Sequence, residues 1–199
     1  RAQRERLSVA TVLSYGVQIA CAVETAHRAG ILHRDIKPAN ILVNSFNIPG
    51  LADFGIAATV AEAANESDDA AGLSIPWSPP EVLRSARNSD ERSYVYSLGA
   101  TLYTLLTGRS PFEVRGQRNT SHDLMRRIES EPPQPLRRPD VPVSLERLLN
   151  QTMAKAPAAR PPSALALAQS LQGVESELGL PITPLVIMQQ PSLVRDREP

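Results

Sequence analysis

The residues able to do chemistry crowd into one stretch, Ile31-Leu32-His33-Arg34-Asp35-Ile36-Lys37-Pro38-Ala39-Asn40-Ile41-Leu42, with Asp53-Phe54-Gly55 a short gap later. Asp35, Lys37 and Asn40 stand at fixed offsets between apolar pairs, and a second carboxylate, Asp53, follows thirteen residues beyond Asn40. Moving a phosphoryl group onto a hydroxyl needs that inventory. A carboxylate accepts the proton of the attacking hydroxyl, and a cation offsets charge on the moving group. Amide and acidic oxygens hold the magnesium ions that bridge the phosphates. The competing reading, an ordinary loop with a charged tip, gives no reason for two linked motifs in this order.

A helix must lead into this stretch and a hairpin must close behind it. From Leu7, apolar residues recur at Val9, Val12, Leu13, Val17, Ala20, Val23 and Ala26, one face of a helical period, and Gly30 supplies a C-terminal stop. Ile41–Val43 and residues 50–52 read as short strands split by a turn with Asn47, Pro49 and Gly50, which would bring Asp35 and Asp53 together. Residues 56–72 are alanine-rich and acidic without a period, the kind of long loop that is functional or mobile. Beyond it, Ser93–Gly108 carries Val95, Leu98, Leu102, Leu105 and Leu106 on one side of a helix. Asp123–Ile128, Ser144–Met153 (with Ser144 as N-cap) and Ser163–Leu178 are further helices, the second reached through a proline-rich connector. No internal repeat is present.

The bulk numbers exclude more than they assign. A chain of 199 residues suits one domain. Zero net charge gives no footprint for nucleic acid or an anionic membrane. Cys21 alone forms no internal disulfide and fits a reducing, cytoplasmic setting; in its apolar pattern it reads as a small core residue. No uninterrupted apolar run reaches the ~18 residues of a membrane span, so none is expected.

Asp-x-Lys-Pro-x-Asn followed by Asp-Phe-Gly resembles the catalytic loop and metal-binding turn of protein kinases, and Lys37 two places after Asp35 resembles the serine/threonine branch. Arginine and alanine richness gives it the look of a bacterial, actinobacterial-type member. The fold class that the resemblance implies is mainly α: the large C-terminal lobe over residues 1–178, with a small β-hairpin at the catalytic loop and the small lobe absent. Residues 179–199, rich in proline, then form a tail or linker. The implied cofactors are ATP and Mg2+. By that resemblance Asp35 accepts the hydroxyl proton, Lys37 steadies the γ-phosphate, and Asn40 and Asp53 coordinate magnesium. Leu42 forms the apolar floor beneath the adenine, or simply packs in the core, and Phe54 stacks with His33.

Residues 56–72 then hold the place of the activation segment, with Thr59, Ser67 and Ser74 as candidate phosphate acceptors and Arg34 as their charge partner. Gly72 to Glu81 resembles the end of that segment. Ser74 would line the substrate slot, Trp77 stands where many members have tyrosine, and Pro79 replaces alanine. Glu81 is expected to pair with Arg160 in a buried bidentate contact, the alternative being two surface charges. One residue departs from the pattern: Tyr94 stands where the family carries an aspartate that accepts hydrogen bonds from the catalytic-loop backbone. A phenol cannot reproduce an acceptor-only carboxylate.

Other parts of the family pattern are missing. The sequence has no Gly-x-Gly-x-x-Gly, and its only lysines are Lys37 and Lys155, so no lysine remains to clamp the α- and β-phosphates. Two readings follow. In one, these residues are a piece of an active serine/threonine kinase, as an opening on Arg1 suggests, inactive alone and acting on a protein substrate once an upstream segment supplies the small lobe. In the other, a degenerate, pseudokinase-like lobe binds a protein partner through its surfaces.

Overall fold

The computed structural model describes residues 6–53, 58–59 and 74–188. In chain order the elements are α1 (Val9–Arg28), β1 (Ile31–Leu32), β2 (Ile41–Val43), β3 (Pro49–Leu51), β4 (Ala58–Thr59), α2 (Pro80–Arg84), α3 (Glu91–Thr107), α4 (Ser121–Ser130), α5 (Val143–Thr152) and α6 (Ala164–Glu177). The fold is mainly helical with two small two-stranded sheets, in keeping with the expected class.

The core is built on three helices. α1 lies along α6 and crosses α3, and α5 closes against both. Ser8 caps α1 by accepting from the Thr11 amide at 3.1 Å. At the other end Gly30, with φ +71, turns the chain out of the helix as its N–H donates to the His27 carbonyl at 2.9 Å. Among the described residues α1 is the one helix long and apolar enough to cross a membrane by length and composition, at 20 residues and mean hydropathy 1.3. Ser14, Tyr15, Gly16 and Gln18 interrupt its apolar run without adding charge. Here its apolar side chains are core: Leu13, Val17 and Ala20 are fully buried. Its Glu24 also accepts from the Leu165 amide at 3.2 Å, tying α1 to the start of α6.

α3 begins two residues before the position that periodicity suggests, because Asp90 and Ser93 form a reciprocal capping box. Gly108 ends it at φ +76. The expected cap of α5 is corrected: Pro142 precedes its first turn, and Ser144 lies inside the helix with a buried hydroxyl that has no partner. Past α6, residues 180–188 are irregular, as their prolines suggest, yet they are tied to the core. Glu175 accepts from the Thr183 amide at 2.8 Å and its hydroxyl at 2.6 Å, and the Met188 amide donates to Thr25 Oγ1 at 3.2 Å.

The α3–α5 crossing is as close as its side chains permit. A Cβ placed on Gly99 would lie 2.5 Å from Thr152 Cγ2 and 2.9 Å from its Cβ. Thr152 is fully buried and held by its hydroxyl bond to the Leu148 carbonyl at 2.7 Å, so it cannot swing away. Gly99→Ala is therefore expected to destabilise the fold, overpacking of about 1–3 kcal/mol outweighing a helix-propensity gain of about 1 kcal/mol. Adding Thr152→Ser, which removes the nearer obstructing methyl but keeps the Cβ at 2.9 Å, should restore part of the melting temperature in a thermal scan.

Candidate active site

The hairpin β2–β3 pairs antiparallel in the register Ile41↔Leu51, Leu42↔Gly50 and Val43↔Pro49, and returns the chain to the loop it left. The return is pinned on both sides of one residue. Ala52 N–H donates to the Asn40 carbonyl at 2.8 Å, and the Ala52 carbonyl accepts from His33 Nε2 at 2.8 Å. A carbonyl can only accept, which assigns the imidazole proton to Nε2 and leaves Nδ1 facing the Asp35 amide at 3.4 Å. His33 is buried and serves as a strut. Asp53 follows Ala52 directly, so its backbone is fixed beside the loop. Its side chain is exposed and has no hydrogen bond to Asp35 or Asn40.

Two residues here hold left-handed backbone that side chains disfavour, Arg34 at φ 63 and Asp53 at φ 66. Such conformations cost on the order of 1–3 kcal/mol and persist where the surroundings dictate them. Arg34 adjoins the Asp35 carboxylate, and Asp53 is itself the second carboxylate of the candidate site.

The polar residues of the loop do converge. Asp35 is buried, and Lys37 Nζ sits 2.5 Å from its Oδ2. Lys37 also donates to Ser74 Oγ at 3.0 Å, so one ammonium bridges the loop and the segment leading to Trp77. Asn40 Nδ2 donates to the Asp35 carbonyl at 2.8 Å and to its Oδ2 at 3.2 Å. Burial opposes the charge on Asp35, but hydrogen bonds from Lys37 and Ser74, the Lys37 charge and Asn40 outweigh it and hold the carboxyl below its ordinary range. With Asn40 Nδ2 engaged, its Oδ1 has no hydrogen bond from the described residues and is available as a hard oxygen donor. Among the described residues no three His, Cys, Asp or Glu side chains form a metal cage. An amide oxygen and one exposed carboxylate suit magnesium, which keeps waters and phosphate oxygens in its shell.

Leu42 is not core packing: it is 61% exposed, on the same hairpin as exposed Val43, Phe46 and Ile48. An apolar rim of this kind, at the mouth of a polar site, marks a surface that meets something else. Phe54 and Gly55, with Ser67, lie outside the described residues. Of the expected phosphate acceptors, the Thr59 backbone pairs with Ile31, three residues before Arg34.

Glu81 and Arg160 meet across 79 residues of sequence, with Arg160 Nη1 to Glu81 Oε1 at 2.6 Å and Nη2 to Oε2 at 2.9 Å. They are not surface charges, since the Arg160 side chain is 0% exposed. Its remaining N–H groups go to the Ala154, Arg92 and Lys155 carbonyls, so all five are satisfied. Tyr96 lies beneath it, its ring centroid 4.9 Å from the guanidinium carbon. Sequence reasoning missed Ser93, whose hydroxyl donates to Glu81 at 2.9 Å, because a serine three places after Asp90 reads only as a cap. Lys155 sits apart from the catalytic loop, half-buried with its ammonium over the Phe112 ring at 4.1 Å. Burial, with the nearby charge of Arg160, brings its ammonium down to about 8.

The family model for the protein kinase domain matches residues 2–171. The chain belongs to the protein kinase family. PknK, a serine/threonine-protein kinase of Mycobacterium tuberculosis, is 38% identical over 188 residues, which is 94% of this chain and 17% of the relative. PknL of the same organism is 36% identical over 157 residues, 78% of this chain and 38% of its own. Pkn3 of Myxococcus xanthus, also a serine/threonine-protein kinase, is 37% identical over 174 residues, covering 80% and 30% respectively. This kinase chain thus spans between 17% and 38% of the length of these relatives.

Within the kinase chain the departure at Tyr94 has a visible consequence. The ring is buried and stands edge-on to His27, centroids 4.8 Å apart at 68°. Ser89 and the Arg34 backbone lie close to the hydroxyl, yet neither reaches bonding geometry, and the oxygen is buried without a partner. Burial raises its pKa. Packing has taken over where a carboxylate would have made hydrogen bonds.

Proposed function

We propose that residues 1–178 are the large lobe of an ATP-dependent protein serine/threonine kinase, with residues 179–199 leading out of it. The observation that carries this reading is the convergence of Lys37 and Asn40 on the buried Asp35 carboxylate, with Ser74 accepting from the same Lys37. Magnesium-bound ATP, when present, supplies the phosphoryl group and the charge bridging its phosphates. Asp35 accepts the proton of a substrate serine or threonine hydroxyl, and its lowered pKa keeps it ionised for that task at neutral pH. Lys37 moves between Asp35 and the γ-phosphate. Asn40 Oδ1 and the Asp53 carboxylate would hold magnesium. Arg34 binds a phosphate on the segment after Asp53, and Leu42 faces the adenine from the exposed apolar rim. The other wall of the cleft comes from a small lobe outside these 199 residues, and the cytoplasm is the setting that buried, unpaired Cys21 suits.

The test is magnesium-dependent transfer of phosphate from ATP to a protein substrate. The complete protein containing these residues should reach ~1–100 s⁻¹, while residues 1–199 alone should show negligible turnover. Comparable rates from the short chain would overturn the lobe assignment.

A second reading, a degenerate lobe that binds a protein partner, draws on the unpaired hydroxyl of Tyr94. Tyr94→Asp restores an acceptor beneath the loop and is expected to slow hydrogen exchange of the amides of residues 33–35. Unchanged exchange there, with no binding of Mg·ATP by the complete protein, would favour the binding-module reading.

A further inference from the structure

Two cavities of about 940 and 270 Å³ adjoin one another beside the segment that carries Ser74. They share Arg6, Thr107, Arg109, Glu113 and Arg115. Pro76 and Trp77 form one wall of the larger, and Arg137 and Arg138 line the smaller. In a chain of zero net charge this is a local concentration of arginine, opposed by the single carboxylate of Glu113. Of the arginines lining it, Arg138 pairs with Asp140, as Arg84 and Arg126 outside the groove pair with Glu129 and Glu131. Arg6, Arg109, Arg115 and Arg137 have no carboxylate partner among the described residues.

The groove is built. Buried Arg127 reaches from α4 to hold the loop carrying Arg115, donating to the Phe112 carbonyl at 3.1 Å, Asn119 Oδ1 at 2.7 Å and the Arg118 carbonyl at 2.7 Å. Asn119 closes the same loop, accepting from the Val114 amide at 2.9 Å and donating to its carbonyl at 3.0 Å. Trp77 is anchored to α3 through its Nε1 donation to Thr104 Oγ1 at 3.0 Å. Two residues before this wall stands Ser74, bonded to Lys37 in the candidate active site. The groove wall is thus continuous in sequence with the residue that meets the candidate active site.

We propose that this groove binds acidic side chains of the protein substrate a few positions from the acceptor hydroxyl, with Arg109 and Arg115 as specificity-determining residues. The guanidinium fork matches a carboxylate bidentately, and unpaired arginines of one sign in a concave site select an acidic peptide over a neutral or basic one. The inference rests on the kinase reading for the position of the acceptor, but binding can be measured without catalysis.

The experiment uses the complete protein and three synthetic serine peptides whose flanks carry Asp and Glu, Asn and Gln, or Arg. The acidic peptide should have a KM about tenfold below its amide twin, the scale of two partly exposed arginine–carboxylate contacts. Arg109→Glu with Arg115→Glu should erase that difference and shift preference to the arginine peptide, with kcat on the amide peptide unchanged. Fluorescence anisotropy of the labelled acidic peptide should show the same loss, and weaker binding as salt rises. Equal KM for the acidic and amide peptides, or a preference that survives the double substitution, overturns the proposal. If no peptide is phosphorylated yet the acidic one binds through the two arginines, the kinase reading fails and the groove stands; equal anisotropy binding of all three peptides sinks the groove.

Discussion

Asp35→Asn is expected to lower phosphate transfer by the complete kinase about 10²–10⁴-fold, the usual contribution of a positioned general base. The change is nearly isosteric. Lys37 Nζ and Asn40 Nδ2 both approach Asp35 Oδ2, and an amide oxygen in that place still accepts from both. The loop should therefore keep its shape, and melting temperature and Mg·ATP affinity should stay close to those of the unaltered protein. What disappears is the group proposed to take the proton. Steady-state kinetics on a protein substrate read the effect as a loss in kcat, and a variant retaining full kcat would remove Asp35 from the role of base.

Removing the Arg160 guanidinium should produce the largest stability effect. Arg160→Ala leaves the Glu81 carboxylate partly buried with only Ser93 and its local backbone to offset its charge, and strips a partner from the Ala154, Arg92 and Lys155 carbonyls. Breaking one side of a buried pair costs about 3–5 kcal/mol. For a domain of this size each kcal/mol lowers the melting temperature by about 2–4 °C. Arg160→Lys should recover only part of the loss, since an ammonium cannot span both oxygens and three carbonyls. Glu81 adds a pH dependence. Burial alone would raise its pKa, but the Arg160 hydrogen bonds and charge outweigh burial and lower it in the folded state. Its contribution is therefore complete above the ordinary glutamate value of about 4.3 and is lost as pH falls below that, through the folded-state value. Melting curves taken down to low pH should show the unaltered protein losing stability there more steeply than Arg160→Ala.

Much of this protein is visible before any coordinates, and for a local reason. Helical periodicity follows from backbone geometry over a few residues, so α1, α3 and α6 are legible from Val, Leu and Ala spacing, with Gly30 and Gly108 marking their ends. The hairpin β2–β3 is equally local, and the Asp-x-Lys-x-x-Asn spacing forces its residues onto one tight loop.

What the tertiary structure alone decided lies in contacts between residues far apart in sequence. Leu42 reads equally well as core or as a binding surface until the fold leaves it 61% exposed. Ser144 has the right type for a cap and the wrong place, because Pro142 sets the helix start. The α3–α5 approach at Gly99, the ring of Tyr94 against His27, and the arginines at positions 6, 109, 115 and 137 gathered around one groove have no signature in any short window. Sequence order fixes which groups exist and how each segment coils. Only the burial of α1 against α3 and α6 brings those groups within a few ångströms, where charge, burial and hydrogen bonding decide what they do.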